Sequence, residues 1–150
     1  MIVLDEPSTG LDPESRTRVW EELAVLQQAG VTVLMSTHYM EEAQTLCDRI
    51  AVLHSGRILD EGTPPELVAR HAGSRVAEIR LVGASREVVR KTLAEAGLQA
   101  REVGTLFRVA APDGAAFGLP ELPRGVRVAW REANLEDVFL ALAGRRLADA

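Results

Sequence analysis

Hydrophobic and polar positions divide the chain into short blocks. Met1-Ile2-Val3-Leu4 is a continuous apolar run that stops at Asp5-Glu6-Pro7. Such a run predicts a strand of a parallel sheet buried on both faces. Asp12-Pro13-Glu14 predicts a helix start, with Asp12 as N-cap and Pro13 in the first turn. Val19, Trp20, Leu23 and Leu26 fall on one face of that helix, and Gly30 ends it. A second run, Val31 to Ser36, predicts another buried strand, and Met40 to Leu46 a short helix. Arg49 to Leu53 and Arg57 to Asp60 read as a hairpin turning at His54-Ser55-Gly56. Thr63 caps a helix that runs to about His71.

The pattern restarts after Ala72-Gly73-Ser74, which predicts a boundary between residues 1–73 and 74–150. Val76 to Val82 alternates as a strand does. Ser85 to Ala96 is an amphipathic helix with Val88, Val89 and Leu93 inward. Leu98 to Val103, Leu106 to Ala110 and Val126 to Trp130 are further strands. Pro112 to Arg124 reads as a Pro/Gly-rich loop, and Leu135 to Ala143 as a closing helix. That order predicts a small α+β unit, one sheet with helices on one face.

Composition sharpens this division. The first 73 residues carry 5 basic and 12 acidic side chains, the remainder 12 and 10. Neither half is basic enough for a nucleic-acid surface. Aromatic residues are 4% of the chain, so the cores must be aliphatic. The single Cys47 excludes an internal disulfide and suits a reducing compartment. No apolar run approaches the roughly 18 residues of a membrane span.

Chemistry concentrates at strand ends. Two parallel strands joined by one helix place their carboxyl ends on one edge, where ligands bind in open α/β sheets. Asp5, Glu6, Ser36 and His38 therefore converge despite some 30 residues between the pairs. One carboxylate there can hold Mg²⁺ through its waters, and its neighbour can polarise a water. His38 can donate toward developing charge on a phosphate. Taken singly, each feature also fits a plainer role: a strand ending in solvent, a helix cap, a loop histidine.

Their combination is more specific. Leu4-Asp5-Glu6-Pro7-Ser8-Thr9-Gly10-Leu11-Asp12-Pro13, a helix, then Val31-Thr32-Val33-Leu34-Met35-Ser36-Thr37-His38 resembles the ABC ATPase family in its Walker B motif, D-loop and switch histidine. Arg49 to Leu53 and Gly56 to Pro64 are similar to that family's closing strands, so the resemblance covers residues 1 to about 71. It implies an α/β fold, a partial P-loop NTPase core of parallel strands with flanking helices. It also implies roles. Asp5 would hold the Mg²⁺ of Mg-ATP, Glu6 would be the general base or water-positioning carboxylate, and His38 would contact the γ-phosphate. Ser8 and Asp12 would lie where two nucleotide-binding subunits close on ATP. Glu132 to Arg145 resembles the end of bacterial ABC-2-type exporter ATPases of the drug-resistance and sodium-extrusion kind, which carry a small accessory domain.

The phosphate cradle G-x-x-x-x-G-K-[ST] does not occur in the chain, whose one lysine is Lys91. No Leu-Ser-Gly-Gly signature precedes the first strand. The resemblance thus implies the C-terminal portion of a longer ATPase, with Met1 an internal strand residue and the chain inactive alone. Its implied partners are a polytopic membrane permease and a second nucleotide-binding subunit. The implied location is cytoplasmic, at the inner face of the membrane through the permease. Two other readings stand beside it: a soluble ABC ATPase unconnected with transport, and a non-enzymatic regulatory or dimerisation module.

Overall fold

A computed structural model describes residues 1–110 and 118–148, with side chains to residue 144. The protein is mixed α/β and divides into two compact units, Met1–Pro64 and Pro65–Ala150. The first contains β1 (Ile2–Asp5), α1 (Pro13–Gln28), β2 (Val33–Ser36), α2 (Met40–Leu46), β3 (Ile50–His54) and β4 (Arg57–Gly62). Helix α3 (Pro64–His71) belongs almost wholly to the second. There it precedes β5 (Arg75–Leu81), α4 (Arg86–Glu95), β6 (Ala100–Val103), β7 (Leu106–Ala110), β8 (Val126–Glu132) and α5 (Leu135–Ala148).

In the first unit β1 and β2 pair in parallel, Ile2 opposite Val33 and Asp5 opposite Ser36. These strands are not buried on both faces as their apolar runs predict. Alternate residues are exposed, with Val3 at 64% and Leu34 at 60%, because no second layer covers that face among the described residues. Leu23 of α1 is buried, and Val19, Trp20 and Leu26 beside it are half-buried. A side-chain pair ties the helices together: the Trp20 indole Nε1 donates to Oε1 of the fully buried Glu42 at 2.9 Å. β3 and β4 form an antiparallel hairpin. Its two turn residues, Ser55 (φ 50°) and Gly56 (φ 71°), are both left-handed, as a tight hairpin turn requires.

The second unit is built on a four-stranded antiparallel sheet in the order β6-β7-β5-β8. Ala77 and Ile79 of β5 and Phe107 and Val109 of β7 line one face. They pack with Val89 and Leu93 of α4 into a fully buried core. Val88, expected inward, is 49% exposed. It lies about 100° round the helix from Val89, and the i, i+4 pair Val89 and Leu93 takes the core.

Helices cover both sheet faces, not one. Glu78 stands on the face opposite Ala77 and Ile79. Arg131 donates to Glu78 at 2.9 Å and, through two nitrogens, to Asp137 of α5 at 2.7 and 2.8 Å. Arg108 reaches Glu136 of α5 at 3.0 Å. These charges pair between the sheet and α5. Asp137 hydrogen bonds, then Glu78, hold the Arg131 guanidinium more firmly protonated than usual. Of the expected loop over 112–124, residues 112–117 lie outside the described residues, and 118–123 are irregular.

Leu93→Ala should destabilise the second unit by about 2–5 kcal/mol, the usual cost of a large-to-small change in a closed core. Hydrogen exchange at β5 and β7 amides, followed separately from β1 and β2, would register the loss.

Candidate active site

The register of β1 and β2 builds the site. Asp5 faces Ser36 across the pair, and Ser36 Oγ donates to Asp5 Oδ1. The next residue, Glu6, leaves the strand with φ 47°, a left-handed conformation unusual outside glycine. It is held there at several points. Glu6 N donates to the Ser36 carbonyl at 3.0 Å and to Ser36 Oγ at 3.1 Å. Thr9 N returns to the Glu6 carbonyl at 3.1 Å, closing a turn.

The turned Glu6 meets His38. His38 Nδ1 lies 2.6 Å from Glu6 Oε2, and Thr9 Oγ1 donates to the same oxygen at 2.7 Å. With a carboxylate as its partner, Nδ1 carries the proton. Glu6 Oε1 has no hydrogen bond among the described residues, so it is open to water. The Glu6 pKa is held below the usual carboxylate range, first by the Thr9 hydroxyl, which desolvation partly offsets, and then by His38. The His38 ring stacks at a tilt on Tyr39, centroids 4.1 Å apart, and Arg16 lies 5.7 Å over Tyr39. Both partners of the Glu6–His38 pair are about half exposed, so ligands can reach them.

Ser8 and Asp12 stand apart from this cluster. Asp12 is the helix cap: Oδ1 accepts from Glu14 N and Ser15 N, each at 3.0 Å, and Oδ2 from Ser15 Oγ at 2.7 Å. Those bonds, led by the Ser15 hydroxyl, lower its pKa. Ser8 is 1% exposed, and its hydroxyl has no hydrogen-bond partner in the described structure. The strands therefore bring together Asp5, Glu6, Ser36 and His38, while Ser8 and Asp12 shape the loop that follows. Thr9 was not singled out by the sequence. Its only signal is its place three residues after Glu6, the span of a β-turn.

No group of three or more potential metal ligands exists among the described residues. A caged metal is therefore not what this site suits. Asp5 has its second carboxylate oxygen free of hydrogen bonds among the described residues. One such carboxylate fits Mg²⁺, which keeps several waters and takes its other ligands from substrate phosphates.

Comparison with known proteins finds close similarity over nearly the whole chain. The Nod factor export ATP-binding protein I of Mesorhizobium japonicum is 44% identical over 149 residues, 98% of this chain and 43% of its own length. Its namesake in Cupriavidus metallidurans is 41% identical over 150 residues, 99% and 49% respectively. That of Burkholderia orbicola is 43% identical, again over 99% and 49%. The chain spans about half the length of the curated relatives it matches. No protein-family model matches it.

Since the Glu6 pKa is depressed in the folded state, its stabilising contribution is present above the ordinary glutamate pKa. It is lost as pH falls through the folded value. Thr9→Val should raise the Glu6 pKa toward the ordinary value, read from its side-chain carboxyl carbon in an NMR titration. An unchanged midpoint would show that Thr9 is not the main cause.

Proposed function

The chain belongs to the ATP-binding proteins of ABC transporters, and from that premise we propose that it carries the hydrolytic edge of a nucleotide-binding domain energising an export complex. The observation that supports this most is the 2.6 Å contact between Glu6 and His38 beside Asp5, at the carboxyl ends of two parallel strands. In this reading residues 1–73 are the C-terminal part of the nucleotide-binding domain and 74–150 an accessory domain.

Each side chain has a distinct task. Asp5 would hold Mg²⁺ through its waters, and the bound ion would supply positive charge opposite the phosphates. Glu6 orients the attacking water from Oε1, the oxygen not occupied by Thr9 and His38. Its depressed pKa suits positioning and polarising that water more than full proton removal. With Nδ1–H on Glu6, the His38 ring is held in place, and a donation from Nε2 to the γ-phosphate requires the imidazolium form. The left-handed backbone of Glu6 is where a functional constraint would hold strain. Ser8 and Asp12 belong to the loop that would face a second nucleotide-binding subunit.

The phosphates themselves need a cradle from another stretch, since Lys91 lies in α4. Partners in this reading are a second ATP-binding subunit and a polytopic permease. No described helix is long and apolar enough to cross a membrane. In this reading the permease supplies attachment at the membrane's inner face.

Joined in one polypeptide to a segment bearing G-x-x-x-x-G-K-[ST], the chain should hydrolyse Mg-ATP. There Glu6→Gln should lower kcat about 10²–10⁴-fold with nucleotide still bound, and His38→Ala about 10²–10³-fold. Turnover surviving Glu6→Gln would overturn the assignment. The chain alone should show negligible hydrolysis in the same assay.

A further inference from the structure

Helix α5 leaves part of its sheet face open. The edge strand β6, the Gly97-Leu98-Gln99 segment before it, and Leu140, Ala141 and Gly144 of α5 line a cavity of about 1020 Å³ within the second unit. That is ample for a small organic molecule.

The charges facing this cavity are His71, Arg101, Glu102, Arg108 and Asp137. Most are already matched. Asp137 accepts from Arg131 through both oxygens and from Asn134 N. Glu102 is held by Arg90 at 2.6 Å and by Arg86. Arg108 pairs with Glu78 and Glu136.

Arg101 differs. It is half-buried, and its guanidinium makes no hydrogen bond or ion pair among the described residues; desolvation alone acts on it, pulling its pKa down. A cation withdrawn from water without a counter-ion is costly, and a bound anion would remove that cost. The planar guanidinium fork matches a carboxylate with two parallel hydrogen bonds. Among these matched charges, Val76, Leu98, Ala100, Ala110, Leu140 and Ala141 supply an apolar part of the wall.

We propose that the second unit holds a binding site for an organic monoanion with an aliphatic body. Its carboxylate seats on Arg101, and its chain lies along Leu98 and Leu140. One unmatched guanidinium balances one negative charge, which selects a monocarboxylate over a phosphate or dicarboxylate. Gly144 keeps the seat open, because a Cβ there would overlap Nη2 of Arg101 and displace the guanidinium. The site uses none of the Glu6–His38 cluster and does not rest on the function proposed above.

Octanoate is a suitable probe, titrated into the intact chain and followed by amide NMR. Saturable shifts are expected at Ala100 to Glu102 and Leu140 to Gly144. Acetate, which lacks the apolar body, and octan-1-ol, which lacks the charge, should each bind at least about tenfold more weakly. Arg101→Gln should weaken octanoate by a similar factor with the remaining amide spectrum unchanged. Gly144→Ala, which disturbs Arg101 without altering it, should do likewise. No saturable shift at millimolar octanoate, octan-1-ol binding as tightly, or either variant at wild-type affinity would overturn the proposal.

Discussion

The parallel register of β1 and β2 is the constraint on which the rest of the site depends. Asp5 opposite Ser36 sets the edge at which both strands end. Ser36 then serves both carboxylate-bearing residues, donating its hydroxyl to Asp5 and accepting the Glu6 amide. A slip of one residue would place Ser36 on the opposite face and abolish this bridging. It would also move His38 away from Glu6. A short run of paired backbone positions therefore fixes a cluster whose members lie far apart in the chain.

Having fixed positions, the same bonds set the chemistry. Glu6 turns back on itself in a left-handed conformation, so one carboxylate oxygen is occupied by Thr9 and His38 and the other is not. An occupied carboxylate is a weaker base than a free one, because each hydrogen bond stabilises its charged form. The arrangement trades basicity for orientation. That suits phosphoryl transfer, where catalysis comes mainly from placement and from charge already in position.

The strand ends were legible because an apolar run that stops at acidic or hydroxyl residues marks the point where a strand leaves the sheet for solvent. Asp12 as cap before Pro13 and the Ser55-Gly56 turn were legible for a similarly local reason: each depends on residues within a few positions. What escaped was set at longer range. Val3 and Leu34 read as buried from an apolar run, but a run cannot say how many layers cover it. The sheet was expected to carry helices on one face only, because the pairing of Arg108 and Arg131 with the acids of α5 joins elements that no local pattern links. Thr9 was invisible since its role arises only once Glu6 adopts a conformation no pattern of hydrophobicity encodes.

The two units handle charge in opposite ways, and this bears on what each can do. The first places Asp5, Glu6 and His38 at exposed strand ends, where solvent screens them and a ligand can add to them without displacing a protein partner. The second pulls charges under a helix and neutralises them pair by pair: Arg131 with Asp137 and Glu78, Arg108 with Glu78 and Glu136. Within such a matched network an unmatched member stands out. Removing solvent from a guanidinium is tolerated next to a carboxylate and disfavoured without one, so Arg101 marks the place where the charges of the described residues fall short. A chain selected only for packing would gain from an apolar residue there, or from an acid at one of the neighbouring positions of β6 or α5. A cation beside Gly144, whose missing Cβ leaves it room, fits a charge that arrives with a ligand.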